Sequence, residues 1–314
     1  MALPQLITRD HIQAGLVIAG EHSQQPDAGL LGPGSVCWQL MRENLVTLAQ
    51  GRIVLLSLAD SRLSQLFASS HDVVQRMHHT QVFMLKLVFG NQDQALLTLD
   101  SPHLRRKTLF DVEDSGTLLY ALTAWVDSCL MLYQEVIEPL NTALQERLFE
   151  ETMLIAQVLG IAQQRLPEHW HAHRRWWERR LSHNGPISDR RRQLGHHLIR
   201  EQGYPGRLPY GDYLPLASFQ VPEHLRQMFR LPQADLDAHR LYQRQTRKLM
   251  DITRHLPMRL RYQPAYHEAS QRLSGRARAD LATRLLNRWW TGQSDLVNSG
   301  WSIPKVDRLP SVSY

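Results

Sequence analysis

An all-α protein is predicted, one helical domain with additional helices toward its C-terminus, and three observations predict it. Apolar residues recur at helical spacing through most of the 314-residue chain. No run alternates apolar and polar residues over the length of a strand. No internal repeat or low-complexity tract divides the sequence. The expected organisation is an N-terminal extension over 1–34, a helical domain over 35–290 and an irregular tail over 291–314.

Taken in order, the extension ends in AGLLGPGS, whose glycines and proline predict loop. Ser35 is a fitting N-cap for a first helix, VCWQLMRENLVTLAQ, stopped by Gly51. RIVLLSLADSRLSQLFASS follows as a core helix with Arg52 and Asp60 as its polar members. His71-Asp72 then turns into RMHHTQVFMLKLVFGNQDQALLTLDSPH, residues 76–103, around which the chain is organised. That stretch opens with an arginine, two adjacent histidines and a threonine within about a turn and a half of helix. The apolar run VFMLKLVF stops at Gly90, and a second helical segment ends near Pro102-His103.

LRRKTLFDVEDSG is polar enough to be a turn. LLYALTAWVDSCLMLYQEVIEPL is the most apolar segment and predicts a central helix, ended or kinked at Pro139. Asp127 and Ser128 lie in its middle, where a buried carboxylate needs a partner. LNTALQERLFEETMLIAQVLG is amphipathic and stops at Gly160. HWHAHRRWWERR and RRRQLGHHLI within 165–200 are helical in character, and 203–222 carries too many prolines and glycines for a helix. Helices are expected again over 222–232, 235–256 and 264–290.

Composition narrows the class. An apolar fraction of 43% suffices for a full core. Lysine and arginine total 36 against 30 acidic residues, with an isoelectric point near 9.5. The excess concentrates in 174–192 and 240–261, which predicts a solvated helix face; an anionic membrane surface or an acidic ligand is the other use of such charge. No recognition-helix context accompanies it, so no nucleic-acid partner is expected. Cys37 and Cys129 match no metal spacing and are expected as buried apolar residues in a reducing compartment. The N-terminus lacks a leader pattern, and no uncharged apolar stretch reaches about 18 residues, so a cytoplasmic protein without a transmembrane segment is expected.

The clearest chemical pattern is Arg76-x-x-His79-Thr80 followed by His103. Two imidazoles on separate helices, with an apolar wall between them and cations at Arg76, Arg105, Arg106 and Lys107, suit haem: axial ligand, slot and propionate partners. Single histidines are more often surface or hydrogen-bonded residues, and with 16 in the chain chance pairs abound. His171-x-His173 and His196-His197 would be half a zinc site, but no cysteine or carboxylate cluster completes either one. No phosphate-binding glycine loop is present, and GPGS at 32–35 lacks the strand of a nucleophile elbow.

A succession of further landmarks accompanies that pattern. They are Gly34-Ser35-Val36 with Trp38 and Arg42-Glu43, Arg76-Met77-x-x-Thr80, Val88-Phe89-Gly90, His103 with its basic run, and Val126-Asp127-Ser128. Pro222-x-x-Leu225-Arg226, Phe229-x-Leu231-Pro232, and Leu256-Pro257-x-Arg259-Leu260-Arg261 with Pro264-Ala265-Tyr266 continue the series. In this order they resemble the MpaB/rubber-oxygenase family, which includes the latex clearing proteins, over roughly 34–275. The resemblance implies a globin-like helical core holding haem b, and dioxygen addition to an isoprenoid-type double bond of a hydrophobic small molecule. By position it implies His103 as proximal ligand. His79 would stand on the distal side, where it could also bind the iron, with Arg76 and Thr80 beside it as catalytic residues. Arg76, Arg106 and Lys107 would assist in holding the cofactor, and the electron donor is not implied.

The chain departs from that pattern at three places. Asp60-Ser61 stands where the family has His-Pro, Leu122 where it has a histidine, and the glycine expected shortly after the histidine of the basic run is absent, with Lys107 nearby. A bis-histidine haem carrier or sensor without turnover is therefore a competing expectation. A cofactor-free helical protein with a basic binding face is a third.

Overall fold

The structure is a computed structural model that describes residues 5–22, 26–67, 69–183, 185–200, 217–232 and 235–298. Helices account for the regular structure, and the described residues contain no sheet, only the isolated bridges Leu6–Asp114 and Glu43–Tyr262. The all-α expectation holds. Most of the predicted long loop at 203–222 lies outside the described residues.

Among the described residues, ten α-helices lie before residue 201: α1 (Arg9–His22), α2 (Val36–Met41), α3 (Gln50–Ala59), α4 (Ser70–Phe89), α5 (Gln92–Leu99), α6 (Pro102–Arg106), α7 (Ser115–Val136), α8 (Thr142–Val158), α9 (Trp170–Ser182) and α10 (Asp189–Arg200). Toward the C-terminus the described residues include α11 (Glu223–Met228), α12 (Leu236–His255), α13 (Met258–Arg261), α14 (Pro264–Leu273) and α15 (Leu281–Thr291).

Several boundaries differ from the sequence expectations, each for a local reason. The first predicted helix is α2 followed by a 3-10 turn over Asn44–Ala49. Ser35 does cap it, accepting from Trp38 N at 3.1 Å, and the Glu151 carboxylate takes the Val36 and Cys37 amides. α3 stops at Ala59 because Asp60 turns extended and its carboxylate accepts the Arg62 and Leu63 amides. The predicted helix over 264–290 is two helices: Gly275 adopts φ 83°, and Asp280 starts α15 by accepting from Thr283 N. Residues 9–22, expected as part of an extension, form a helix packed on α5 and α8.

α7 is the central element. At 22 residues it is long and apolar enough to cross a membrane by length and composition, but Asp127 and Glu135 interrupt its apolar run and most of it is packed inside the protein against α3 and α8. Tyr120, Leu122 and Ala124 are fully buried there. The C-terminal half of α4, Val82–Phe89, joins the same core.

One buried arginine ties segments distant in sequence to the end of α4. Arg272 donates to the carbonyls of Phe89 (2.7 Å), Asp27 (3.1 Å) and Val297 (3.3 Å) and to Asn298 Oδ1 (2.7 Å). Beside it, buried Glu268 accepts the amides of Leu296, Val297 and Asn298, so the chain leaving α15 folds back under α14. Gly29 makes this closure possible. Its φ is 76°, and a Cβ there would lie 1.9 Å from the Gly90 carbonyl oxygen.

Candidate functional site

The Arg76–His103 stretch folds so that its two ends meet. Arg76, from the half-exposed N-terminal part of α4, donates through Nη1 to the carbonyls of Arg106 (2.9 Å) and Thr108 (3.1 Å). It also lies 3.7 Å from the Asp111 carboxylate. Thr80, one helical turn on, donates to the Arg76 carbonyl at 2.7 Å and accepts from Leu109 N at 2.9 Å. Arginine and threonine thus fasten the exit of α6, the helix carrying His103, onto α4. The hydrogen bonds of these two side chains go to backbone atoms, so in this structure they hold the segment in place.

Between them sits His79, half-buried. Its Nδ1 bonds the Gln75 carbonyl at 2.7 Å, which leaves Nε2 as the ring atom available to a ligand. Its neighbour His78 packs against it at 5.9 Å between ring centroids and bonds the Thr291 backbone; burial and the adjacent His79 hold its pKa below the usual imidazole range. His103 lies exposed on α6, and Arg106 and Lys107 are exposed beside it.

These residues meet part of what haem requires. Two imidazoles on joined elements and a cationic flank suit its iron and propionates. The apolar slot expected between the histidines is not formed: Val82–Phe89 is buried throughout, and Phe83 packs on Phe110 at 5.7 Å. Imidazoles of the right chemical type are present, whereas the enclosing walls are closed in this structure.

The departures from the family pattern are filled by a self-satisfied cluster. Arg180 donates to Asp60 Oδ2 at 2.6 Å and lies 5.2 Å over the Tyr120 ring, whose hydroxyl donates to the Leu56 carbonyl at 3.0 Å. Leu122 is fully buried. No imidazole stands at either place.

A second concave region lies between α7 and α9, about 770 Å³, and sequence reasoning did not assemble it. Arg52 crosses from α3 to donate to Asp127 (2.7 Å), Ser128 (2.7 Å) and the Gln220 carbonyl (2.6 Å), supplying the partner Asp127 needed. Arg174 donates to the other Asp127 oxygen at 3.2 Å. Trp170, Trp177 and His171 line the remaining wall. Glu135, also in the lining, accepts from Tyr242 Oη at 2.5 Å, and burial raises its pKa. The signal available beforehand was the pair of polar residues, Arg52 and Asp127, in otherwise apolar helices.

The other histidine clusters do not gather ligands. His173 is buried with Nε2 3.1 Å from Thr123 Oγ1, and His196 Nε2 lies 2.6 Å from the Phe229 carbonyl. No group of three or more metal-ligating side chains occurs among the described residues.

No curated protein and no solved structure matches the chain. Residues 38–255, more than half of it, match the family described as ER-bound oxygenase mpaB/B′/rubber oxygenase, catalytic domain. The matched span contains α4, α6 and α7 with the fastened histidine segment, and the chain belongs to that family.

Proposed function

We propose that this protein is a haem b-dependent oxygenase acting on a hydrophobic, unsaturated small molecule, with its reactive centre at the junction of α4 and α6. Membership of an oxygenase family supports the reaction class. The observation that carries the location is the Arg76–Thr80 fastening, which draws the element bearing His103 onto the element bearing His79.

In this reading His103 holds the cofactor and His79 faces it, with ring orientation set by the Gln75 carbonyl. Arg106 and Lys107 supply charge to the propionates. Bound haem supplies the activation of dioxygen for insertion into the substrate. The catalytic part first expected of Arg76 and Thr80 narrows to positioning, since both act through the backbone of residues 106–109. The buried run Val82–Phe89 limits water entry from the core side.

The runner-up, a bis-histidine haem protein without turnover, is favoured by one observation: Asp60, Arg180 and Tyr120 form a closed cluster where the family carries a histidine.

Purification after expression with haem supply tests the cofactor. A Soret band is expected, and its absence removes both haem readings. Oxygen uptake dependent on a lipophilic alkene then separates the two, since a carrier consumes none.

A further inference from the structure

The C-terminal helices turn an apolar face outward. Leu281, Leu285 and Trp289 recur every fourth residue on α15 and are 68%, 58% and 63% exposed, while Thr283, Asn287 and Thr291 on the other side are buried. The adjoining α13 adds Met258 at 66% and Leu260 at 53% exposure. Between α13, the end of α12 and α15 runs a groove of about 260 Å³, floored by Leu256, Leu286 and Trp290. The chain leaving α15 does not cover this face as far as Asn298, because Glu268 and Arg272 draw it back under α14.

Exposed arginines are carried by the same helices and by the loop that joins α14 to α15. Arg254, Arg259, Arg276, Arg278 and Arg288 are all exposed. Arg259 and Arg278 have carboxylates at 3.3 and 3.6 Å, from Asp280 and Asp295. No ion pair engages Arg254, Arg276 or Arg288 among the described residues.

We propose that α13 and α15 form a docking surface for an anionic lipid bilayer. The helix lies in the interfacial plane, the leucines and Trp289 enter the acyl boundary, and the arginines meet lipid phosphates. An apolar stripe ending in tryptophan with basic residues beside it suits that interface, because the indole and the arginine stems span apolar and wet layers at once. Charge decides between occupants. A second copy docked by two-fold symmetry would set one arginine-bearing patch against another. A bilayer bearing phosphate neutralises them. The inference rests on the surface alone and stands independently of the haem reading.

Co-sedimentation of the full-length chain tests it, using vesicles of phosphatidylcholine alone and of phosphatidylcholine mixed with phosphatidylglycerol. Binding to the mixed vesicles is expected to exceed binding to the neutral ones by about tenfold or more and to weaken at high salt. Tryptophan emission should shift to the blue on binding. The double substitution Leu285→Ser with Trp289→Ser, at exposed positions, should abolish the shift and most of the binding with helix content unchanged by circular dichroism. Arg254→Glu with Arg288→Glu should lower binding to mixed vesicles only. No preference for anionic vesicles, or binding indifferent to both double variants, overturns the proposal. So does salt-sensitive adsorption without a fluorescence shift, which marks an anionic macromolecule as the partner, or concentration-dependent dimerisation abolished by the serine substitutions.

Discussion

The two halves of α4 share one helix and have opposite surroundings. From Val82 to Phe89 every residue is buried, and Phe89 ends against Trp38 at 5.0 Å with its carbonyl held by Arg272. From Arg76 to His79 the helix is mostly half-exposed, and its side chains reach the backbone of the α6 exit. The apolar half is core and the polar half is where chemistry can be presented. An apolar run beside histidines looked like the wall of a cofactor slot in the sequence; the structure spends it on packing.

Substitutions can separate the halves. Phe89→Ala should have the largest effect, a loss of about 3–5 kcal/mol in denaturant unfolding, because it opens a cavity under Trp38 and Tyr266. Any spectroscopic signature of the histidine end should survive in the fraction that stays folded.

A contrast between imidazoles comes next. Burial pushes His173 down to about 4, whereas an unfolded histidine titrates near 6.5. Because the folded state resists the proton, this contribution is present in full above the unfolded value and is lost as pH falls from there toward 4. Its size is up to about 3 kcal/mol. The loss should appear as a falling melting temperature over that window and flatten in His173→Phe, which cannot take the proton.

Thr80→Val should cost about 1–3 kcal/mol, since it leaves the buried Leu109 amide without its acceptor at nearly constant volume. Thr80→Ser keeps the hydroxyl and should restore most of that. Hydrogen exchange at residues 106–109 checks the mechanism: faster exchange in the valine variant alone is expected. The smallest effect is that of His79→Ala, under about 1 kcal/mol, because a half-exposed side chain bonded to its own helix is a weak contributor.

Much of this fold was legible because its signals are local. Ser35 marks a helix start by its side-chain cap, Gly90 and Gly160 mark helix ends, and the need of Asp127 for a partner followed from a carboxylate inside an apolar run. The break at 274–280 was written in Gly275 and Asp280 but was hidden by the helical spacing on either side. The placing of Arg76 was not legible, because its acceptors are carbonyls about thirty residues away, and carbonyls carry no sequence identity. Nor does spacing alone say which stripe of an amphipathic helix meets the core. On α15 the buried face is threonine and asparagine, and Leu281 and Leu285 point out.

The central claim is that the exposed half of α4, joined to α6, is the functional end of the molecule. The most direct measurement is the visible absorption spectrum of protein expressed with haem supply, compared with His103→Ala and His79→Ala. The account predicts a Soret band in the parent, its loss in His103→Ala, and a retained but shifted band in His79→Ala. A parent without the band, or a band that neither substitution alters, contradicts it.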